Sequence, residues 1–231
     1  MKGKEVVMTI GVLLAAVLGA TGSTQGQTDT GVKYVGVGVA RAGDIVYPMN
    51  ARRPGMVTLD VSVDDSGGVQ KVQAMRDVPP LTSAADNGVK NWKFTPALIG
   101  GQAVAGTARI NVVFNPFNPG DVSIPNKPLP PAESAGGGGN GEYRCADVKM
   151  AKYAVYPANT VASGTVVLDV KVGADGKVEG TRVLRGVGVL SAAATRAIKN
   201  WEFVAASYEG KAVESHEVVA FVFVSPAVGT M

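Results

Sequence analysis

One stretch of sequence occurs twice in this chain, at a constant offset and without a gap. Tyr47-Pro48 returns 109 residues later as Tyr156-Pro157, and Gly55 as Gly164. Val57-Thr58-Leu59-Asp60-Val61-Ser62-Val63 returns as Val166-Val167-Leu168-Asp169-Val170-Lys171-Val172, Lys90-Asn91-Trp92-Lys93-Phe94 as Lys199-Asn200-Trp201-Glu202-Phe203, and Val113-Phe114 as Val222-Phe223. Between residues 47 and 114, about 26 of some 68 positions match at that offset, far more than apolar composition alone produces. A chain of 231 residues with such a repeat reads as two copies of one small domain, each of roughly 70 to 80 residues. Units of that size bury only about 60% of their unfolded surface, so the strongly apolar positions of the repeat are expected in the core.

Bulk composition narrows the partners. The net charge is +3, and the 22 basic residues are scattered, not gathered into a stripe, so nucleic acid is not the expected partner. Cys145 is the single cysteine, which excludes an intrachain disulfide framework and a multi-cysteine metal site. It has no cysteine counterpart in the first copy and reads as an incidental thiol, or else as one end of an intermolecular bridge.

The amino terminus reads as an export signal. Lys2 and Lys4 precede an almost wholly apolar run from Val6 to Ala20, and Ala20-Thr21-Gly22 supplies small residues for cleavage. As a helix, about 15 residues reach roughly 22 Å, short of the roughly 30 Å hydrocarbon core of a bilayer. Residues 1–22 are therefore expected to be a cleaved signal peptide, with an uncleaved anchor as the alternative, and the rest of the chain is expected in the periplasm.

Organisation follows from the repeat and its breaks. Residues 23–45 are polar and Gly-rich and read as a flexible lead-in. The first domain covers 46–115, and a Pro/Gly-rich linker covers 116–145. That linker carries Pro116, Pro119, Pro125, Pro128, Pro130 and Pro131, followed by Gly136 to Gly139. The second domain covers 146–225.

Within a copy, Val57, Leu59, Val61 and Val63 alternate with polar residues, so a strand with one buried face starts after Gly55. Asp64-Asp65-Ser66-Gly67-Gly68 and Ala174-Asp175-Gly176-Lys177 supply hairpin turns, and the return strands Val69 to Met75 and Val178 to Leu184 carry a phase break that suggests a bulge. Leu81, Ala84, Ala85, Gly88, Val89 and Trp92 fall on one helical face, as do Leu190, Ala193, Ala194, Ala197, Ile198 and Trp201. A third strand follows at Ala108 to Phe114 and at Val218 to Phe223, with Ile110, Val112 and Phe114, or Val219, Phe221 and Phe223, pointing inward. The expected fold class is α+β. Each domain is a three-stranded antiparallel sheet with a helix on one face, in the order β-β-α-β.

Catalytic material is scarce. His216 is the only histidine, with Thr107 as its counterpart, and it reads as an ordinary strand-end residue. Asp60 and Asp169 are the only acids that match, and no second acid accompanies them. They read as sheet-surface carboxylates with Arg76 and Arg185 as possible partners. Trp92, Phe94, Trp201 and Phe203 are assigned to the cores. No cofactor and no metal is expected, and an enzyme is the least favoured class. The last strand of the second copy, Val218 to Phe223, carries no charge and no proline. At a sheet edge it is a template for another strand, unless the chain's own termini or the other copy cover it.

Tyr-Pro, Gly-x-Val-x-Leu-x-Val, a turn glycine, Leu-x-x-Ala-Ala, Trp-Lys-Phe-Thr-Pro-Ala and a closing Val-Phe strand, in this order, resemble the carboxy-terminal domain of the TonB family. The resemblance covers nearly all of each copy; the second departs at Glu202 and Ala205, where the first has Lys93 and Pro96. It implies a periplasmic protein-binding domain that takes the plug peptide of an outer-membrane transporter as an added strand beside its last strand. Carried onto this chain, the partner-binding residues are Arg109, Ile110, Asn111, Val112, Val113 and Phe114 in the first copy. In the second they are Val218, Val219, Ala220, Phe221, Val222 and Phe223, with Tyr47, Pro48, Tyr156 and Pro157 nearby. A TonB-type energy transducer also needs a retained membrane helix and a proline-rich stalk ahead of the domain, whereas the prolines here lie between the copies. A structural role, with the copies pairing with each other or with another chain through those edges, including as a homodimer, is the second reading. Mass spectrometry of the exported protein is expected to find the first 22 or so residues removed; an intact amino terminus favours the transducer.

Overall fold

The computed structural model of the chain describes residues 34–51, 53–115, 123–124, 129 and 143–225. The signal segment, residues 23–33 of the lead-in and most of the linker lie outside the described residues. In the first copy the elements are β1 (Tyr34–Val35), β2 (Gly38–Arg41), β3 (Gly55–Val63), β4 (Val69–Arg76), α1 (Leu81–Val89), β5 (Lys93–Thr95), β6 (Ala97–Ile99), β7 (Gln102–Val104) and β8 (Gly106–Asn115). The second copy repeats them as β9 (Tyr143–Arg144), β10 (Asp147–Met150), β11 (Gly164–Val172), β12 (Val178–Arg185), α2 (Gly188–Ile198), β13 (Glu202–Val204), β14 (Ala206–Tyr208), β15 (Lys211–Val213) and β16 (Ser215–Phe223).

Two parts of the expected layout change. Residues 34–45, expected in a flexible lead-in, contain β1 and β2, which pair antiparallel with β6 and β5. The linker was expected to run to 145, yet β9 begins at Tyr143 and pairs with β14. The repeat therefore reaches back to Tyr34 and Tyr143, where identity is too sparse to stand out. Each copy also holds short strands between its helix and its last strand, which the β-β-α-β outline omitted.

The larger change concerns the sheet. Instead of two separate three-stranded sheets, the long strands form one six-stranded sheet in the order β12-β11-β16-β8-β3-β4. Every pairing within a copy is antiparallel, and the central pair, β8 with β16, is parallel. In that pair Ile110 lies opposite Val218 and Phe114 opposite Val222, a separation of 108 residues where the repeat is 109. Neighbours across a ladder point to the same face and successive residues to opposite faces. A one-residue stagger thus sends equivalent side chains to opposite faces, so the two helices pack on opposite sides of the shared sheet.

The cores record this inversion. Leu81, Ala85 and Val89 of α1 gather with Val57, Leu59, Ile110, Val112 and Phe114, and also with Val167, Ala220 and Val222 of the second copy. Leu190, Ala194 and Ile198 of α2 gather with Val166, Leu168, Val219, Phe221 and Phe223, and also with Met56 and Val113 of the first. Trp92 and Trp201 are each 2% exposed, as their core assignment requires. Trp201 Nε1 donates to the Lys152 carbonyl at 3.0 Å, whereas Trp92 Nε1 has no partner among the described residues and its indole packs against Gly43. At the turns, Gly67 and Gly176 hold φ of +87° and +80°, a left-handed conformation that glycine adopts without cost.

Each copy also clasps the other behind its sheet. Thr165 Oγ1 accepts from Ile45 N–H at 2.8 Å and donates to its carbonyl at 3.1 Å, while Asp44 takes Thr165 N–H at 2.9 Å. In the opposite sense, Asn115 exchanges two hydrogen bonds with the Ala154 backbone, at 2.7 and 2.8 Å.

Ala220 sits between Val112 and Val167 in the sheet interior, fully buried. Ala220→Pro removes a ladder donor from a strand with no free side and is expected to cost about 3 kcal/mol or more. Urea denaturation is expected to shift as one transition; a loss confined to one of two resolved transitions would contradict a shared sheet.

Candidate functional site

Residues proposed from the sequence as docking strands occupy the centre of the sheet. Arg109 to Phe114 pair with β3 on one side and β16 on the other; Val218 to Phe223 pair with β11 and β8. Every one of these residues is buried, and both sides of each strand are paired. Strand addition there is corrected on that ground: each copy already serves as the other's added strand. The Tyr-Pro residues do lie near the last strands. Tyr47 meets the Phe114 ring edge-on with centroids 5.6 Å apart, and Tyr156 lies 6.2 Å from Phe223 with its hydroxyl donating to the Ala162 carbonyl at 2.6 Å. Pro48 and Pro157 are half-buried beside them.

The sheet has two outer strands, β4 and β12, each with a single strand partner among the described residues. Both are bulged against their neighbours near their ends, and they carry Lys71 and Arg76, or Arg182 and Arg185. Bulges and charge are the usual protection of a sheet edge against indiscriminate pairing.

Behind the sheet the matched acids are not surface carboxylates. Asp60 and Asp169 are 9% and 8% exposed, and their partners differ from Arg76 and Arg185. Arg109 grips Asp60 with two bonds of 2.8 Å. Asp169 instead takes Arg182 Nη2 at 2.8 Å and meets His216 Nδ1 at 2.8 Å, which gives His216 a carboxylate partner in place of a plain strand-end role. Arg76 donates to Thr58 Oγ1 at 2.7 Å, and Arg185 to the Thr165 carbonyl at 2.6 Å with Asp44 3.3 Å away. The register explains the swap: Arg109 stands directly across from Asp60, but its counterpart across from Asp169 is Val218.

The sequence reading missed Glu217, which has only Ala108 as its counterpart. It is 3% exposed and sits on β16 alongside Arg109 of β8. Arg109 spends two of its donors on Asp60, at 2.8 Å each. Burial is the main cause that pushes Glu217 up to about 8, and the Asp60 charge adds to it. The Ser215 hydroxyl at 3.0 Å, the Ala146 N–H at 3.3 Å and the Arg109 charge work in the opposite direction. Arg109 is held above its ordinary value by Asp60, although burial alone would lower it. Burial also pushes the Cys145 thiol up to about 12, so the thiolate that an intermolecular bridge needs is suppressed. These groups form a polar layer between the copies, and among the described residues no cluster of three or more His, Cys, Asp or Glu gathers to hold a metal.

On the other side of the sheet lies a groove of about 780 Å³, bounded by residues 34–39 of the first copy and by Asp169, Arg182, Leu184, residues 213–216 and Val218 of the second. Among the described residues no helix is long and apolar enough to cross a membrane; the apolar amino-terminal run lies outside them.

Comparison with known proteins bears on both copies. A family model described as Gram-negative bacterial TonB protein C-terminal matches residues 44–116 and again 152–224. No curated protein and no solved structure matches the chain.

Glu217 provides a test of the polar layer. Its folded value lies above the ordinary carboxylate value near 4.3, so across about pH 4.5 to 8 the folded chain holds a proton that the unfolded chain has lost. The stability it contributes is present at low pH and falls as pH rises through that window. Glu217→Gln is expected to flatten the decline in urea midpoint between pH 5 and pH 8, and parallel profiles for the two proteins would contradict the assignment.

Proposed function

Because the chain belongs to the family of Gram-negative bacterial TonB protein C-terminal domains, we propose that it is a non-catalytic protein-binding module of the cell envelope that takes extended segments of outer-membrane transport proteins. The observation that carries this reading is the match of two whole domains, in a family whose domains mediate protein interactions. Shared positions are spent on core, turns and strands, and the matched acids are committed to ion pairs, which leaves no repeated acid–base pair for chemistry. The periplasm is the compartment this reading requires.

The mode of binding differs from the one the last strands suggested. Those strands join the copies, so a docked segment uses a surface outside the β8–β16 junction. The structural reading, in which the copies pair through their last strands, is supported within the chain by that junction. Joined in this way, the two domains share one sheet and present related surfaces on opposite sides, unlike two beads on a flexible linker whose effective concentration depends on its length.

Titration calorimetry of the full chain with plug peptides of TonB-dependent transporters checks the reading. A Kd near the micromolar range, about −8 kcal/mol, is expected for at least one such peptide, and the absence of binding at millimolar peptide would contradict it.

A further inference from the structure

The two strands ahead of each copy form a strap, residues 34–41 in the first and 143–150 in the second, equivalent residue for residue at the offset of 109. Each strap pairs along one side with the short strands of its own copy. At the pseudo-symmetric centre Tyr34 and Tyr143 meet with ring centroids 4.5 Å apart. The outer sides of the straps differ. Three described linker residues meet the second strap and the two residues after it: Leu129 N–H donates to Asp147 Oδ2 at 3.1 Å, Ile124 N–H donates to the Ala151 carbonyl at 2.9 Å, and Ser123 bridges antiparallel to Lys152. Ile124 is 4% exposed, buried in the core of the second copy.

The positions equivalent to Lys152, Ala151 and Asp147 are Gly43, Ala42 and Gly38, and β2 has no second strand partner among the described residues. Of these three, Gly38 lines the 780 Å³ groove, which lies between the first strap and the second copy and is within the range of ligand pockets. Its walls are mixed: Val35, Val37 and Val39 on the strap face Leu184, Val213 and Val218, and Tyr34, Tyr143 and Tyr208 join them, with Asp169, Glu214 and His216 supplying the polar part. Where the second strap carries Cys145 and Asp147, the first carries Gly36 and Gly38. A Cβ added at Gly36 would meet only the Tyr34 ring, at 3.9 Å, so the space beside it is open. The Arg182 side chain, anchored on Asp169 yet 73% exposed, offers donors at the rim.

We infer that this groove docks an extended segment of a partner protein, rich in aliphatic residues and proline, which lies along the first strap as the linker lies along the second. The inference rests on the protein-binding reading above and names its site. Backbone groups of the segment bond the outer side of the strap, and an aliphatic side chain fills the groove as Ile124 fills its own core.

The probe is a synthetic peptide with the sequence of residues 121–131, Asp-Val-Ser-Ile-Pro-Asn-Lys-Pro-Leu-Pro-Pro, titrated into the full chain beside any plug peptide that binds it. Amide shifts are expected to centre on residues 34–41. Gly36→Phe, which fills the groove, and Val35→Asp, at an exposed position, are each expected to weaken both peptides at least tenfold with an unchanged thermal midpoint. If the linker peptide does not bind at 1 mM, or if binding is indifferent to both substitutions, the groove is the wrong site. Failure of the protein-binding reading is read separately, from plug peptides on the unsubstituted chain.

Discussion

The parallel ladder between β8 and β16 is the constraint on which the rest of the structure depends. A three-stranded sheet with a helix on one side leaves two problems, an open edge and a bare back. The junction solves both at once. It consumes the last strand of each copy at the other's edge, and its one-residue stagger turns the second copy over. The back of each half-sheet then meets the leading segment of the other copy, as the Thr165–Ile45 and Asn115–Ala154 bonds record. Val218 to Phe223, an aggregation hazard in isolation, becomes the middle of a six-stranded sheet.

Inversion of identical units places near-equivalent surfaces in different surroundings, and the chain has diverged to suit them. Arg109 closes on Asp60 between the copies, while its counterpart Val218 lines the groove and leaves Asp169 to Arg182 and His216. Glu217 takes the place equivalent to Ala108 and keeps its proton chiefly because burial penalises its charged form. The second strap bears Cys145 and Asp147, the latter taking Leu129 N–H, whereas the first bears Gly36, beside which the space is open. The division between the copies is therefore one of closed and open sides.

Much of each copy was legible because period and identity agree. The alternation of Val57, Leu59, Val61 and Val63, the turn residues and the spacing of Leu81, Ala85 and Val89 correspond to β3, its hairpin and α1. What stayed hidden depends on relations between distant segments. Thr58, Asp60 and Arg109 look like a solvated face until a second domain covers them, and no periodicity reports that cover. Strands of two or three residues, such as β1 and β9, are too short to show a period, and glycine-rich surroundings disguised them as a lead-in and a linker. The candidate docking strands were recognisable as strands eager to pair, but sequence alone left open which partner they take. The groove arises where two straps differ by small residues, and in a sequence those glycines read only as flexibility.

Native-state hydrogen exchange of the full chain tests the central claim most directly, because it reads the junction amide by amide. If the two copies are one sheet, the amides of β8 and β16 exchange together, at the highest protection in the molecule, and only through global unfolding. Exchange of β16 through a separate opening, with β8 still protected at the global level, would contradict it and return the last strand to the role of an available edge.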